Sequence, residues 1–205
     1  MDEANSEVPR RVVFIGNSGS GKTTAARHLA RALVCPHLEL DSVYHQADWT
    51  PLPANEFRAR VTAFVEASPR WVVDGNYSTV RDIVWGAADT VVWLDLPRTR
   101  NFVSILWRTA RRFVRQEELW NGNRELVDNW TRIHDPEQSI LAWAWAKHPV
   151  YRRNYADLMA SSGYPGLRIL RATSRSEVTR WTARWAEMHT RNGRKAASEG
   201  TSEGK

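Results

Sequence analysis

The stretch Gly16-Asn17-Ser18-Gly19-Ser20-Gly21-Lys22-Thr23 constrains this chain more than any other. It follows Val12-Val13-Phe14-Ile15, a short apolar run of the kind that forms a strand buried on both faces. Helical spacing of apolar residues starts at Lys22 and runs to about Val34. Strand, glycine-rich turn and helix, in that order, aim successive backbone N–H groups and the positive helix end at one point. The stretch completes the Walker A pattern G-x-x-x-x-G-K-[ST], which a nucleoside triphosphate fits. Gly16, Asn17, Ser18, Gly19, Ser20, Gly21 and Thr24 surround the phosphates. Lys22 reaches their β and γ groups, and the Thr23 hydroxyl is placed to bind Mg²⁺.

The rest of the chain repeats the strand–helix alternation. Strands are predicted over 37–41, 70–74, 89–95 and 167–171. Helices are predicted over 57–67, with Phe57, Val61, Phe64 and Val65 apolar, and over 175–189, with Val178, Trp181 and Trp185 on one stripe. Such alternation means an α/β domain with a mostly parallel sheet. Three of the strands end in aspartate, at Asp41, Asp74 and Asp95. Ligands of open α/β sheets bind outside the carboxyl ends of the strands, so this row of carboxylates suits a site for metal and phosphate. Each aspartate taken singly also suits a helix or turn cap.

The 205 residues suffice for one domain, expected over 10–190, with polar, disordered tails over 1–9 and 191–205. The formal net charge is +6, with only four lysines, and arginine supplies the other positive side chains. That balance favours anionic partners. No run approaches the ~18 apolar residues of a membrane span, and the N-terminus lacks the pattern of a signal peptide. The single cysteine, Cys35, fits a reducing cytoplasm. The histidines show no metal-ligand spacing, and most of the 11 tryptophans are expected to be core and packing residues. A domain of this kind suits a monomer or a homodimer.

No Asn-Lys-x-Asp guanine-reading motif is present, and no inner strand ends in the Asp-Glu of a hydrolytic motor. Transfer of phosphate to a bound acceptor is therefore the better reading. In "GNSGSGKTT", Asp41, "WVVDGNY", "TVVWLDLP" with the arginines after it, and "LRILRATSRSEV", the chain resembles the adenylate kinase-like group of small P-loop kinases. That group includes nucleoside monophosphate, shikimate and gluconate kinases. "WVVDGNYS" and "ELWNGNRE" are closest to bacterial adenylate kinase-like proteins labelled topology-modulation proteins.

The resemblance covers about residues 11–190. It implies a P-loop NTPase with a five-stranded parallel sheet, ATP and Mg²⁺ as cofactors, an acceptor-binding flap over 42–68 and an arginine-rich lid over 108–150. It implies Asp41 as acceptor ligand or general base and Asp74 beside the phosphates and Mg²⁺. Asp95 is implied as structural, and the loop from Arg171 to Arg175 as lying against adenine.

The sequence leaves the nucleotide-kinase pattern after Asp74-Gly75. Asn76-Tyr77-Ser78 stand where that pattern has Pro-Arg, and Arg81 is the nearest arginine. Gly75, Asn76, Tyr77, Arg81 and Arg58 are candidate acceptor contacts. Beyond Pro97, Arg108, Arg111, Arg112 and Arg115 fall within an arc of about 100°, with Val103, Leu106, Ala110 and Phe113 opposite, a side expected to pack. Four like charges on one face suit a bridging anion, and in a kinase that anion is the transferring phosphoryl group. Arg108 and Arg112 are the first candidates for that role, with Arg115 near the acceptor. Pairing with Glu117, Glu118 and Glu125 is the plainer alternative. "ELWNGNRE" suits the tip of a mobile lid. A nucleic-acid-binding or nucleotide-sensing ATPase using the arginine face is the competing function.

Overall fold

Five apolar runs pair into one all-parallel sheet in the order β2-β3-β1-β4-β5. The strands are β1 (Arg11–Gly16), β2 (His37–Glu39), β3 (Trp71–Asp74), β4 (Thr90–Leu94) and β5 (Arg168–Ala172). The computed structural model describes residues 7–123, 139–160 and 163–202. Residues 1–6 and 203–205 of the expected tails, with Glu125 and His134, lie outside the described residues.

Seven α-helices cover the sheet among the described residues. They are α1 (Lys22–Ala32), α2 (Leu40–Tyr44), α3 (Ala54–Glu66), α4 (Arg81–Ala87), α5 (Arg98–Arg115), α6 (Ile140–Ala160) and α7 (Arg175–Ser202). Strand alternation sorts the core into two layers. Val12, Phe14, Val72 and Val92 pack with Leu29 and Leu33 of the α1 side and Trp185 of α7. Val13, Ile15, Val73 and Trp93 pack with Phe57 and Val61 of α3 and Val84 of α4. Because both faces are covered, β1, β3 and β4 are apolar almost throughout. This is the α/β P-loop fold.

Register sets the site. Phe14 pairs with Asp74 and Gly16 with Leu94, so Asp74 ends its strand two residues short of the level where the glycine loop starts.

Two expected boundaries move. The second strand stops at Glu39, and Asp41 belongs to α2. Leu40 is the cause. It is buried against Gly75, where an added Cβ would lie 2.7 Å from the Leu40 Cβ. Turning the chain into a helix at Leu40 sends its side chain under the sheet end and swings Asp41 to the open side. The last helix runs to Ser202, past the expected end near 189. Good helix formers at Arg194, Lys195, Ala196 and Ala197 carry it beyond Gly193.

Helix α6 passes through Pro149. A proline there cannot donate to the Trp145 carbonyl one turn earlier. Arg98 Nε donates to that carbonyl instead (2.9 Å), and its guanidinium lies over the Trp145 ring at 3.8 Å. The start of α5 is thereby fastened to the middle of α6. Among the described residues no helix is long and apolar enough to cross a membrane.

Candidate active site

Helix α1 begins after Gly21, which adopts a left-handed conformation, and its first turn holds no acidic residue. Its free N–H groups are therefore open to an anion, with no carboxylate in the first turn to compete. Asn17, Ser18, Gly19, Gly21, Lys22, Thr23 and Thr24 line a cleft of about 2170 Å³. Ser20, in the same loop, is buried.

Helix α5 presses on this loop. A Cβ on Gly19 (φ +77°) would lie 2.5 Å from the Asn101 carbonyl oxygen and 2.7 Å from Ile105 Cγ1. Gly19→Ala should therefore lower stability, since the left-handed backbone alone costs about 1–2 kcal/mol and the opposing atom is backbone. A fall in melting temperature of about 4 °C or more is expected by calorimetry. An unchanged melt would contradict this packing.

The contact corrects the expected orientation of α5. The buried stripe is Asn101, Ile105 and Thr109, on the same side as the arginines. Val103 is exposed instead of packed, and so are Trp107, at 74%, and Val114. The helix packs on the loop through its first half and carries Arg108, Arg111, Arg112 and Arg115 along the cleft with its second. Glu117 answers part of this charge, at 3.3 Å from Arg111 and 3.9 Å from Arg115.

Thr23, Asp74 and Glu39 meet beside the loop. Thr23 Oγ1 donates to Asp74 Oδ1 at 2.6 Å and lies 3.3 Å from Glu39 Oε1. Asp74 is only 1% exposed, and its other oxygen pairs with His37 Nε2 at 2.8 Å. Burial holds the Glu39 carboxyl above the ordinary range, and the Asp74 charge adds to this. Among the described residues no three His, Cys, Asp or Glu side chains form a metal cluster. Mg²⁺ does not need one, since it takes one or two carboxylates and fills its shell with water and phosphate oxygens. The all-oxygen set of Thr23, Asp74 and Glu39 fits it.

Asp41 lines the cleft, and Tyr77 Oη donates to its Oδ1 at 2.7 Å. Burial, followed by the Asp41 charge, pushes the Tyr77 hydroxyl far above its usual range, so it stays a donor.

Other expected site residues are placed differently. The Asn76 side chain clamps Gly16, accepting from its N–H at 3.2 Å and donating to its carbonyl. Asn76 also lines the cleft, but its amide is committed to the loop. Gly75 packs on Leu40 and does not line the cleft. Arg58 lies outside it, bound by both nitrogens to Asp82 (2.8 and 2.7 Å). Arg81 is also outside, 5.8 Å from the Trp85 ring centre. Arg171 points to the other side of β5, where Asp95 binds its Nε at 3.0 Å and Trp93 lies beneath it. Asp95 also pairs with Arg152 of α6 at 2.8 Å, so it ties three elements together.

Three functional positions, Glu39, His37 and Trp120, are not among the expected site residues, and Arg175, expected in a loop against adenine, binds the glycine loop itself. Arg175, four residues after Arg171, donates to the carbonyls of Gly19 and Ser20 and to Ser104 Oγ of α5. Glu39 and His37 flank Asp74, and the period of two within β2 puts both on one face. Trp120 donates its indole N–H to Glu39 Oε2 at 3.2 Å, a contact with no local signal.

No family model matches the sequence, and no curated protein matches it. Similar solved structures include a gluconokinase from Sinorhizobium meliloti 1021, at 16% identity and TM-score 0.47, covering 93% of this chain and 99% of that one. A shikimate kinase from Bacteroides thetaiotaomicron matches at 14% identity and TM-score 0.48, covering 88% of this chain and 98% of the other. A sugar kinase from Janibacter sp. matches at 16% and 0.47, covering 85% and 91%. Likeness at this level does not assign an activity, which has to come from the site.

Proposed function

We propose that this protein is an ATP-dependent phosphotransferase that moves the γ-phosphate to a hydroxyl of a small acceptor. The observation that carries this reading is one cleft joining a complete phosphate loop to a carboxylate, Asp41, fixed by Tyr77. Asp41 Oδ2 makes no hydrogen bond among the described residues, so it is open to take a proton. In the reaction the acceptor hydroxyl gives its proton to Asp41 as its oxygen bonds to the γ-phosphorus. The bond from that phosphorus to the bridging oxygen breaks, and ADP leaves. Lys22, Arg108 and Arg112 neutralise charge on the phosphoryl oxygens. Mg²⁺, held by Thr23 and Asp74 with Glu39 alongside, supplies further neutralisation when bound. On this reading the segment after Asp41 is the acceptor flap, and α5 with the turn at 120–122 is the lid. The resemblance to adenylate kinase-like P-loop kinases agrees with it. The arginines of α5 lining a cleft favour a small anion over a nucleic-acid surface.

ATP turnover measured across nucleosides, nucleotides, sugars and other hydroxylated metabolites tests the reading. ADP release should rise at least tenfold over the rate with water alone for one acceptor class, with a phosphorylated product seen by mass. Equal ADP release with and without every acceptor would overturn it. In the same assay Glu39→Gln should raise the Mg²⁺ concentration for half-maximal rate by about 10–100-fold, as losing a supporting ligand does. An unchanged Mg²⁺ dependence would remove Glu39 from the metal shell.

A further inference from the structure

The acceptor end of the cleft has a composition that the phosphate end lacks. Five aromatic side chains follow one another along its wall. Tyr77 and Tyr44 have ring centres 4.6 Å apart, Tyr44 and His45 5.1 Å, and His45 and Trp49 5.4 Å. Trp120 closes the series, stacked on His45 at 6.2 Å and edge-on to Trp49 at 6.4 Å. All five line the cleft, beside the carboxylates of Asp41 and Glu39.

This wall is assembled from distant segments and pinned. Asn121 donates to the carbonyls of Ser42 and His45. Asn123 donates to the Gln46 carbonyl at 2.8 Å and accepts from the Trp49 N–H at 2.9 Å. Asp48 and Trp49 both have left-handed backbones, at φ +55° and +57°. Such backbones persist only where surrounding contacts hold them. The "LWNGN" stretch is therefore fastened over the flap, and its tryptophan becomes part of the wall.

The flap and the segments that follow it, through residue 97, bring no cation to this end. Four arginines and no lysine occur between residues 41 and 97, namely Arg58, Arg60, Arg70 and Arg81, and none lines the cleft. Arg58 is held by Asp82, Arg70 pairs with His189, and Arg81 sits at Trp85. A phosphate or carboxylate on the acceptor would meet Asp41 and Glu39 there, and Arg27, 3.8 Å from Glu39, is already engaged by that carboxylate, so burying a further negative charge is costly. A ring face, by contrast, stacks on Trp and Tyr, and an amine pairs with the carboxylates.

We propose that the acceptor is a hydroxylated ring compound carrying no phosphate or carboxylate, held by its ring face against Trp49, Trp120 and the Tyr44–Tyr77 pair. Nucleosides and neutral or amino sugars share this chemistry. The proposal rests on the transferase reading for its reaction, but binding tests it separately.

The full chain, with Mg²⁺ and a non-hydrolysable ATP analogue, is titrated with matched pairs and followed by tryptophan fluorescence. The pairs are adenosine and AMP, glucose and gluconate, and glucosamine and glucosamine 6-phosphate. At least one uncharged or cationic member should bind about tenfold or more tighter than its anionic partner. Trp49→Ala should weaken that binding about tenfold with nucleotide affinity unchanged, and Trp49→Phe, which keeps a ring, should retain most of it. Equal or tighter binding of the anionic members overturns the proposal, as does a panel in which no member binds. Binding of a neutral member without ADP release supports this ligand class and overturns the transferase reading. Product formation with the anionic members alone does the reverse.

Discussion

Asp41→Asn should lower acceptor-dependent kcat by about 10²–10⁴-fold, the range for removing a general base. The substitution keeps the shape of the side chain, and its remaining oxygen can still accept from Tyr77 Oη, 2.7 Å away in the native protein. What disappears is the negative charge that takes the proton. The ATP affinity and melting temperature of the variant should match the native protein, because Asp41 sits on the cleft side of α2, while Leu40 carries the packing. Single-turnover measurement with saturating ATP separates the two effects. A rate within about threefold of native would mean that the acceptor proton leaves by another route, and the role given to Asp41 would fall.

Lys22→Ala should cost about 10²–10³-fold in kcat, as loss of one preorganised charge donor does. Lys22 lines the cleft between the glycine loop and the Thr23–Asp74 pair. The arginines that line the cleft come from the second half of α5, beyond the half that packs on the loop, so none of them takes its place. Weaker ATP binding should accompany the loss, because a lysine at the β/γ-phosphates attracts ground state and transition state alike. Nucleotide binding by titration calorimetry and turnover by ADP release measure the two parts. Native affinity together with native turnover in this variant would leave the loop without its assigned ligand.

The parts of the site that were legible in the sequence are those fixed by local chemistry. The glycine loop, its strand and its helix follow from one contiguous pattern, and Asp74 from an apolar run that ends in a charge. What escaped depends on contacts between segments far apart. The helical period sorted Arg108 and Arg112 from Val103 and Ala110 correctly. Which side packs was decided by the approach of Asn101 and Ile105 to Gly19, some 80 residues away in the chain. Arg171 and Arg175 both follow the pattern of a basic loop, but strand alternation turns Arg171 to Trp93 and Asp95, whereas Arg175 reaches the glycine loop from the first turn of α7.

Tryptophan shows the same limit. Trp71, Trp85, Trp93 and Trp185 are core residues, as composition suggests. Trp49, Trp107, Trp120 and Trp143 line the cleft. Nothing local distinguishes the two groups, because a large ring suits a core and a ligand wall equally well. Asn76 is a related case. It stands where the sequence leaves the nucleotide-kinase pattern, which suggested an acceptor contact. Its amide instead holds the backbone of Gly16, and it shapes the phosphate loop from the neighbouring strand.

The central claim is that phosphate passes from ATP to an acceptor in this cleft and not to water. ATP labelled at the γ-phosphate, incubated with Mg²⁺ and the acceptor that most accelerates ADP release, tests it most directly. The label should appear in an organic phosphate, one equivalent per ADP, and Asp41→Asn should abolish its transfer. Label recovered only as inorganic phosphate, at the same rate with and without acceptor, would contradict the account.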